Sequence, residues 1–448
     1  MKTVLFLGHE YHLKTKSSRF FIELLKERYD VTCVFFDPYT NRYSDYAEGI
    51  EYDFLILWQI MPERMEIEKK FKYGQGIIIP MYDAVVGNRS IDWMQYCDFK
   101  ALCFCKKLYD ELVIYGINAL YVQYFIGYKG EFEAGEEDSV FFWQRKQTID
   151  TNTLEMILKD TEIRHLHIHK AMDPKHSFEL SKTLKWDITF SDWFENQEDY
   201  TECVLRSAFY VAPREYEGIG MSFLEAMSMG RCVIAPNNAT MNEYIEDGIN
   251  GILYDIDDLK PIKKYDIRMI QKNAYEYSKQ GYLKWKSEKN KILDWMEIIE
   301  KKPIYADQCI AMIISKQQDR DKQNSYYSVL NQWLSLRQRG KSLSTYFECS
   351  GYKTIAIYGM KDLGERLCEE LKDSGIVVSY GIDRNYANIN AEMIVVSPED
   401  NLRPVDVIVV TSFFYYDEIR LKIEEKVECP IISLQEIVGE FYAEQANN

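Results

Sequence analysis

The sequence predicts an α/β chain of three units, each laid down as strand, turn, helix and strand around a parallel sheet. Three observations predict it. The chain has 448 residues and a mass of 53.0 kDa, more than one ordinary core accommodates. Short apolar runs such as KTVLFLG, DFLILWQ and GIIIPMYD alternate with amphipathic stretches such as RFFIELLKERY, the pattern of βαβ construction. That pattern restarts twice, at VFFWQR and at TIAIYGM.

The first unit, 1–130, opens with the strand KTVLFLG. A polar loop, HEYHLKTKSS, leads to the helix RFFIELLKERY and the strand VTCVFFD. DFLILWQ and GIIIPMYD add parallel strands, ALCFCKKLYDELVIYGI keeps the alternation, and YVQYFIG closes the unit. The charged, glycine-bearing KGEFEAGEEDS marks a boundary. The second unit, 131–340, runs from VFFWQR through TLEMILKD, RHLHIHK, WDITFSD, AFYVAPRE and CVIAP. Its trailing amphipathic helices are expected to pack back across both units. The third, 345–448, begins with TIAIYGMKDLGERLCEELKDSGIVVSYGID and adds VDVIVVTS and CPIISLQEIV.

Composition narrows the function. Hydrophobic residues make up 46% and charged residues 28%, the balance of a soluble globular protein. A net charge of -17 and a pI near 5.0 argue against a nucleic-acid partner. The ten cysteines form no CxxC pair, the nearest being Cys103 and Cys105. With no signal segment ahead of them, reduced thiols in the cytoplasm are expected. No apolar run reaches the roughly 18 residues of a spanning helix. The expected location is cytoplasmic, with peripheral contact at the inner face of a membrane.

The run REYEGIGMSFLEAMSMG, residues 214–230, carries the chemistry. AFYVAP reads as a strand ending at the sheet's carboxyl edge, and MSFLEAMSMG as a helix that Gly230 stops. EYEGIG between them must turn sharply. Gly218 and Gly220 let backbone approach a ligand, and the first helical amides with the helix dipole favour a phosphate. Open α/β sheets place such ligands at the carboxyl ends of their strands. Glu217 and Glu225 flank the turn. A carboxylate accepts two hydrogen bonds from a vicinal diol, so Glu225, read as lying in the first helical turn, suits a ribose. Glu217, on the other side, suits a sugar. The implied ligand is a nucleoside diphosphate joined to a sugar. The plainer alternative makes Glu225 a carboxylate offsetting helix amides and Glu217 a solvated loop charge.

The longer run PREYEGIGMSFLEAMSMGRCVIAPNNATMNEYIEDGINGILYD resembles retaining GT-B glycosyltransferases of family 4. Their pattern, a glutamate, seven residues and a second glutamate, is written roughly EGFGLxxLEAMAxGxPVI. Here it reads EGIGMSFLEAMSMGRCVIAP, followed by NEYIEDGINGILY. The resemblance implies a GT-B fold, two Rossmann-like domains facing a cleft, with a third Rossmann-like domain added at the C-terminus. It implies that Glu217 bonds donor-sugar hydroxyls near the anomeric carbon. The amides of Gly218, Ile219, Gly220 and Met221 then meet sugar and diphosphate, and Glu225 holds the ribose. Asn242 and Glu243 fall at a later turn with a structural role.

The same resemblance places an arginine after the first strand of the second domain, and a lysine five positions later. Arg145 stands at the first position; Asp150 stands at the second, a departure from the pattern, and Lys146 is a weaker substitute. Basic groups there meet the charge that grows on a leaving diphosphate. No metal or other cofactor is implied. Retention is described as front-side attack; a double displacement needs a far-face carboxylate, which the sequence does not name. In the first unit, Lys14, Lys16 and Ser17 replace the glycine-rich loop of similar enzymes and face either a phosphate or solvent. Tyr82 and Asp83 fall where relatives have His-Asp, so no histidine role carries over. Asp83 is read as bonding a sugar hydroxyl or capping a turn.

Two other signals invite a ligand. His165, His167 and His169 share one strand face, a weak metal pattern beside Asp173. YGMKDLGERL with Asp383 resembles a dinucleotide turn whose middle glycine is Lys361, between Gly359 and Gly364. The leading expectation is a hexosyltransferase-like enzyme using a nucleotide-sugar donor and a glycan or lipid-linked acceptor, in bacterial surface polysaccharide assembly. Self-association through the C-terminal domain is a further expectation. The alternatives are a non-catalytic nucleotide-sugar or glycan-binding protein on the same fold, and an NAD-dependent sugar-modifying enzyme using the last unit.

Overall fold

The computed structural model describes the chain apart from residues 38, 39, 41, 45, 88–90, 129, 174, 175, 179, 181–183, 299–302, 304, 305, 390, 392, 447 and 448, and the side chains of 444–446. Two compact units result, Met1–Ile314 and Ser315–Asn448.

The first unit holds two sheets. In the first sheet the strands lie in the order Arg42–Tyr43, Asp30–Asp37, Thr3–His9, Glu51–Trp58, Lys72–Ile79, Lys100–Cys103, Asn118–Tyr121. All pairs are parallel except the short Arg42–Tyr43. The second sheet runs Asp187–Ser191, His165–His169, Glu136–Trp143, Ser207–Val211, Cys232–Pro236, Ile252–Tyr254, parallel throughout. Both are Rossmann-like and share a cleft, as the GT-B expectation requires. Sheets covered on both faces need strands apolar at every position. Val4, Leu5, Phe6 and Leu7 are all fully buried. Val4 and Phe6 enter one cluster, and Leu5 and Leu7 the other, the alternation a pleated strand imposes. Phe141 and its neighbours Val140 and Phe142 divide in the same way.

In each sheet the strand order reverses beside the first strand. The switch points lie between Thr3–His9 and Glu51–Trp58, and between Glu136–Trp143 and Ser207–Val211. Open parallel sheets receive ligands at the carboxyl edge of such points. The segment after Thr3–His9 differs from the expected loop. Tyr11–Thr15 is a short helix, ended by Lys16 in the left-handed region at φ 55° with its N–H bonded to the His12 carbonyl.

Of the trailing helices, the first two return to the first sheet. Ile267–Glu288 leads into Asn290–Glu297. Its end meets the buried Lys100, whose Nζ donates to the carbonyls of Trp295 at 2.6 Å and Ile298 at 2.5 Å. A cation there satisfies carbonyls the helix itself leaves unpaired. Tyr29 Oη adds a bond to Glu297 at 2.9 Å.

The second unit has one parallel sheet in the order Val395–Val396, Val377–Ile382, Thr354–Tyr358, Val407–Val410, Ile431–Ser433. Ile355 and Ile357 face one cluster, where Val329, Trp333 and Leu336 of the long helix also pack; Ala356 and Tyr358 face another. That helix spans Ala306–Gln338.

Candidate active site

The two switch points of the first unit open onto one cavity with two lobes. The smaller, about 160 Å³, is lined from the first sheet by residues including His12, Trp58, Met81 and Asp83. Arg145, Arg214, Glu217 and the 218–222 turn line it from the second. The larger, about 630 Å³, takes in Lys14, Lys16, Trp143, Trp193, Gln197 and Glu225, among others. Thr15, Ser17, Arg145, Met221 and Ser222 belong to both. The larger lobe is of the size that small-molecule sites have.

Glu217 follows the strand Ser207–Val211 and is buried, 6% exposed. Its turn is fixed by Thr240, whose Oγ1 donates to the carbonyls of Glu217 at 2.7 Å and Gly218 at 3.0 Å. Burial raises the Glu217 carboxyl to about 7; the Arg214 charge opposes that rise and the Asp83 charge adds to it. Burial thus favours the protonated form of this group, which can donate a hydrogen bond as well as accept one.

The glycines of the turn are accounted for by the protein itself. A Cβ at Gly218 would lie 2.7 Å from Met81 Cβ and 2.8 Å from Asp83 Oδ1, so this glycine admits the other sheet's loop. Gly220 has φ +80°, and a Cβ there would lie 1.9 Å from the Phe223 ring. Gly218, Ile219 and Gly220 still border the smaller lobe, and the two lobes meet further on, at Met221 and Ser222. There the helix Met221–Ser228 presents amides without helical partners.

Glu225 is the fifth residue of that helix, one turn later than the sequence reading placed it. It lines the larger lobe and accepts from Gln197 Nε2 at 2.7 Å. Asp83, in the first turn of Tyr82–Val85, accepts from Arg214 Nη1 at 3.0 Å. Arg145 pairs with Asp173, Nε to Oδ1 at 2.8 Å, and lies 4.7 Å from the Trp143 ring centroid. Lys146 is half-buried beside it and its charge reaches Asp83. Lys14 sits 4.8 Å from the Trp193 ring centroid, and Lys16 is exposed. Ser17 Oγ lies 2.7 Å from His12 Nδ1. All the expected residues except Lys146 line one of the two lobes.

Asp150 caps the helix Thr151–Ile157, accepting from Asn152 N at 2.9 Å and Thr153 N at 3.0 Å. That cap explains why no cation stands there. Glu243 is structural too. Its carboxylate accepts from Lys106 N at 2.8 Å and Tyr121 Oη at 2.9 Å, capping the helix Lys106–Ile114 that leaves the first sheet.

The histidine strand has other partners. His167 lies 2.8 Å from both Thr189 Oγ1 and Ser191 Oγ, and His169 Nδ1 lies 2.8 Å from Ser191 Oγ. Burial lowers both histidines to about 4, so they are neutral. Among the described residues no group of three or more His, Cys, Asp or Glu is arranged to hold a metal ion. His169 also stacks on Phe194, centroids 4.9 Å apart, and with Trp143 walls the larger lobe. In the second unit, Asp383 accepts from Met360 N at 2.9 Å and Asn385 N at 2.8 Å. It braces its own turn at the position where a dinucleotide fold presents a carboxylate to ribose.

The sequence reading missed Arg214 and the aromatic wall of Trp143, Trp193 and Phe194. Arg214 was visible only as a basic residue three positions before Glu217.

Residues 154–271 match the family model described as glycosyl transferases group 1. The match covers about a quarter of the chain, within the second sheet and its helices. The matched stretch contains Arg214, Glu217, the 218–221 turn and Glu225, and leaves out Arg145, Lys146 and the first sheet. The chain is also similar to sucrose synthase 6 of Arabidopsis thaliana, 30% identical over 88 residues. That stretch is 20% of this chain and only 9% of that protein, so the chain spans a small part of the curated relative it matches. Among solved structures it is similar to sucrose-phosphate synthase from Thermosynechococcus elongatus, at 11% identity and TM-score 0.45, over 66% of this chain and 98% of that one. It is similar to Anabaena HepE in complex with UDP and glucose, at 10% identity and TM-score 0.40, over 66% and 100%. TarM follows at 15% identity and TM-score 0.39, over 54% of each chain. No helix among the described residues is long and apolar enough to cross a membrane.

Proposed function

We propose that the protein is a retaining, metal-independent glycosyltransferase. It moves a sugar from a nucleoside-diphosphate sugar to a hydroxyl of a glycan or lipid-linked acceptor. The observation that carries this reading is the buried Glu217 in the wall of the smaller lobe, beside two arginines and a helix N-terminus. The glycosyltransferase domain match and the resemblance of the EGIGMSFLE run support it.

In this reading the base lies along the aromatic wall of the larger lobe, where ring faces suit stacking. Glu225 holds the ribose diol, and the amides at Met221 and Ser222 meet the diphosphate. The sugar occupies the smaller lobe against Glu217, Gly218, Ile219 and Gly220. Lys146 adds positive charge, and Lys14, Lys16 and Ser17 border the donor from the first sheet, with Asp83 on the acceptor side. In the reaction the bond between the anomeric carbon and the phosphate oxygen breaks, and its electron pair leaves with the diphosphate. The acceptor oxygen forms the new bond on the same face and its proton passes to the departing diphosphate. Arg145 stabilises the charge that grows there. The same reading divides the chain into an acceptor-side domain, 1–130, a donor domain, 131–340, and an accessory domain, 345–448.

The test is a panel of nucleotide sugars incubated with the full chain and varied acceptors, read by released nucleoside diphosphate and by the anomeric configuration of the product. Release from one donor with retained configuration supports the reading. Binding of nucleotide sugars without release in the presence of any acceptor class leaves a binding protein instead.

A further inference from the structure

Four charged side chains line the smaller lobe, Arg145 and Arg214 against Asp83 and Glu217, with Asp173 and Lys146 close behind them. Their wiring is unequal. Arg145 lies two residues beyond the strand Glu136–Trp143, and Arg214 three beyond Ser207–Val211. These are the two strands of the switch point, and both arginines converge on one carboxylate. Arg145 Nη2 lies 2.7 Å from Asp173 Oδ1, and Arg214 Nη2 lies 2.7 Å from Oδ2. Each carboxylate oxygen thus serves one guanidinium. Arg214 Nη1 reaches Asp83 at 3.0 Å, and Glu217 Oε2 stands 3.9 Å away.

Two features mark this as more than a structural ion pair. Arg214 Nε is buried without a hydrogen-bond partner, an unmet donor on a cavity-lining side chain. Both arginines also line the lobe, while the buried Asp173 that they share lies behind them and lines neither lobe. Burial would raise the Asp173 carboxyl, but the charges of Arg145 and Arg214 outweigh it and hold it below the usual range. Two guanidiniums fixed on the two oxygens of one anion form a fork pair of the kind that binds phosphate groups bidentately.

We propose that Arg214 and Arg145 form a two-guanidinium clamp for the donor diphosphate. Asp173 is the clamp's internal placeholder, a carboxylate that holds both arginines in position and yields them to the incoming anion. This rests on the donor reading above and adds a charge-stabilising residue and a competitor to it. Arg214 brings the second positive group to the leaving diphosphate, from a strand other than the one that carries Arg145. Asp173 keeps the two like charges from repelling each other while the lobe is empty.

The two roles predict effects of opposite sign. Inorganic pyrophosphate, nucleoside 5′-diphosphates and the corresponding nucleosides are titrated calorimetrically into the full chain, with thermal melting as the folding control. Arg214→Gln weakens pyrophosphate and nucleoside diphosphate by about tenfold or more and leaves nucleoside binding unchanged. Arg214→Lys, which keeps the charge without the fork, falls between. Asp173→Asn, which removes the competing charge, tightens pyrophosphate several-fold. Folded Arg214→Gln protein binding pyrophosphate as the wild type does overturns the clamp. So does an Asp173→Asn variant that loses affinity in parallel with Arg214→Gln. If nucleoside diphosphates bind and Arg214→Gln changes nothing, the clamp fails and the donor reading stands. If pyrophosphate binds with the stated variant pattern while no nucleoside diphosphate binds better than pyrophosphate, the clamp stands and the nucleotide part of the donor reading fails.

Discussion

Two turns in this chain share a plan. After the strand Ser207–Val211, residues 212–220 lead into the helix Met221–Ser228; after Thr354–Tyr358, residues 359–361 lead into Asp362–Leu371. The first carries Gly218 and Gly220, the second Gly359 with Gly364 in the helix that follows, and each has an acidic residue that the sequence assigns to a ribose. At the second turn a Cβ on Gly364 would lie 2.3 Å from the Gly359 carbonyl oxygen, and Asp383 accepts two backbone amides. Glycines and acid alike serve the turn. At the first turn the glycines also answer to neighbouring side chains, but the charges do not close on their own backbone. Glu217 is buried with a raised pKa, and Arg214 keeps an unmet donor. Glycine spacing thus reports a tight strand–helix junction in both cases. A raised carboxyl and an unmet donor beside a cavity are what separate this candidate site from a brace.

The contrast can be broken or sharpened by substitution. The largest effect is expected for Glu217→Gln, which removes the titrating carboxyl while keeping its shape. Release of nucleoside diphosphate from the donor falls by about a hundredfold, with folding intact. A variant as active as wild type would remove Glu217 from the reaction. Gly364→Ala in the other turn should cost about 2 kcal/mol of stability through overpacking, read by denaturant melting, with donor turnover unchanged. A change in turnover with no loss of stability would contradict the division drawn here. Glu225→Ala is expected to weaken nucleotide about tenfold, even when the nucleotide carries no sugar. Asp383→Asn should cost about 1 kcal/mol and leave nucleotide affinity untouched; an altered NAD affinity would revive a dinucleotide role.

The smallest effect is in pH. Glu217 has a folded pKa of about 7, above its ordinary value of 4.5. The unfolded chain releases this proton first as pH rises, so the group's contribution to stability declines between about 4.5 and 7. Glu217→Gln should therefore gain stability relative to wild type above pH 7 and lose that advantage near pH 4. Parallel melting curves at all pH values would show that the carboxyl is not raised.

Much of the framework was legible because buried parallel strands read as unbroken apolar runs. KTVLFLG, VTCVFFD and CVIAP each fall within a residue or two of a strand in the structure. The segment after the first strand was not legible as a helix. HEYHLKTKSS has no apolar periodicity, and a five-residue helix needs none. Arg214 escaped notice for a different reason: its partners Asp83 and Asp173 lie 131 and 41 residues away, and only the fold brings them together. Glu225 was placed one turn early because helix starts depend on backbone geometry that a motif does not encode. Here that geometry is the left-handed Gly220.

Glu243 joins residues that line neither lobe. It binds Lys106 N and Tyr121 Oη with its carboxylate, and its carbonyl accepts from Gln123 Nε2 at 2.9 Å. Lys100 fastens the returning helix to the same sheet. Widening of the mouth between the two sheets must either rupture this stitching or rotate about it. Glu243 and Lys100 thus tie the two sheets together at residues that take no part in lining the cavity.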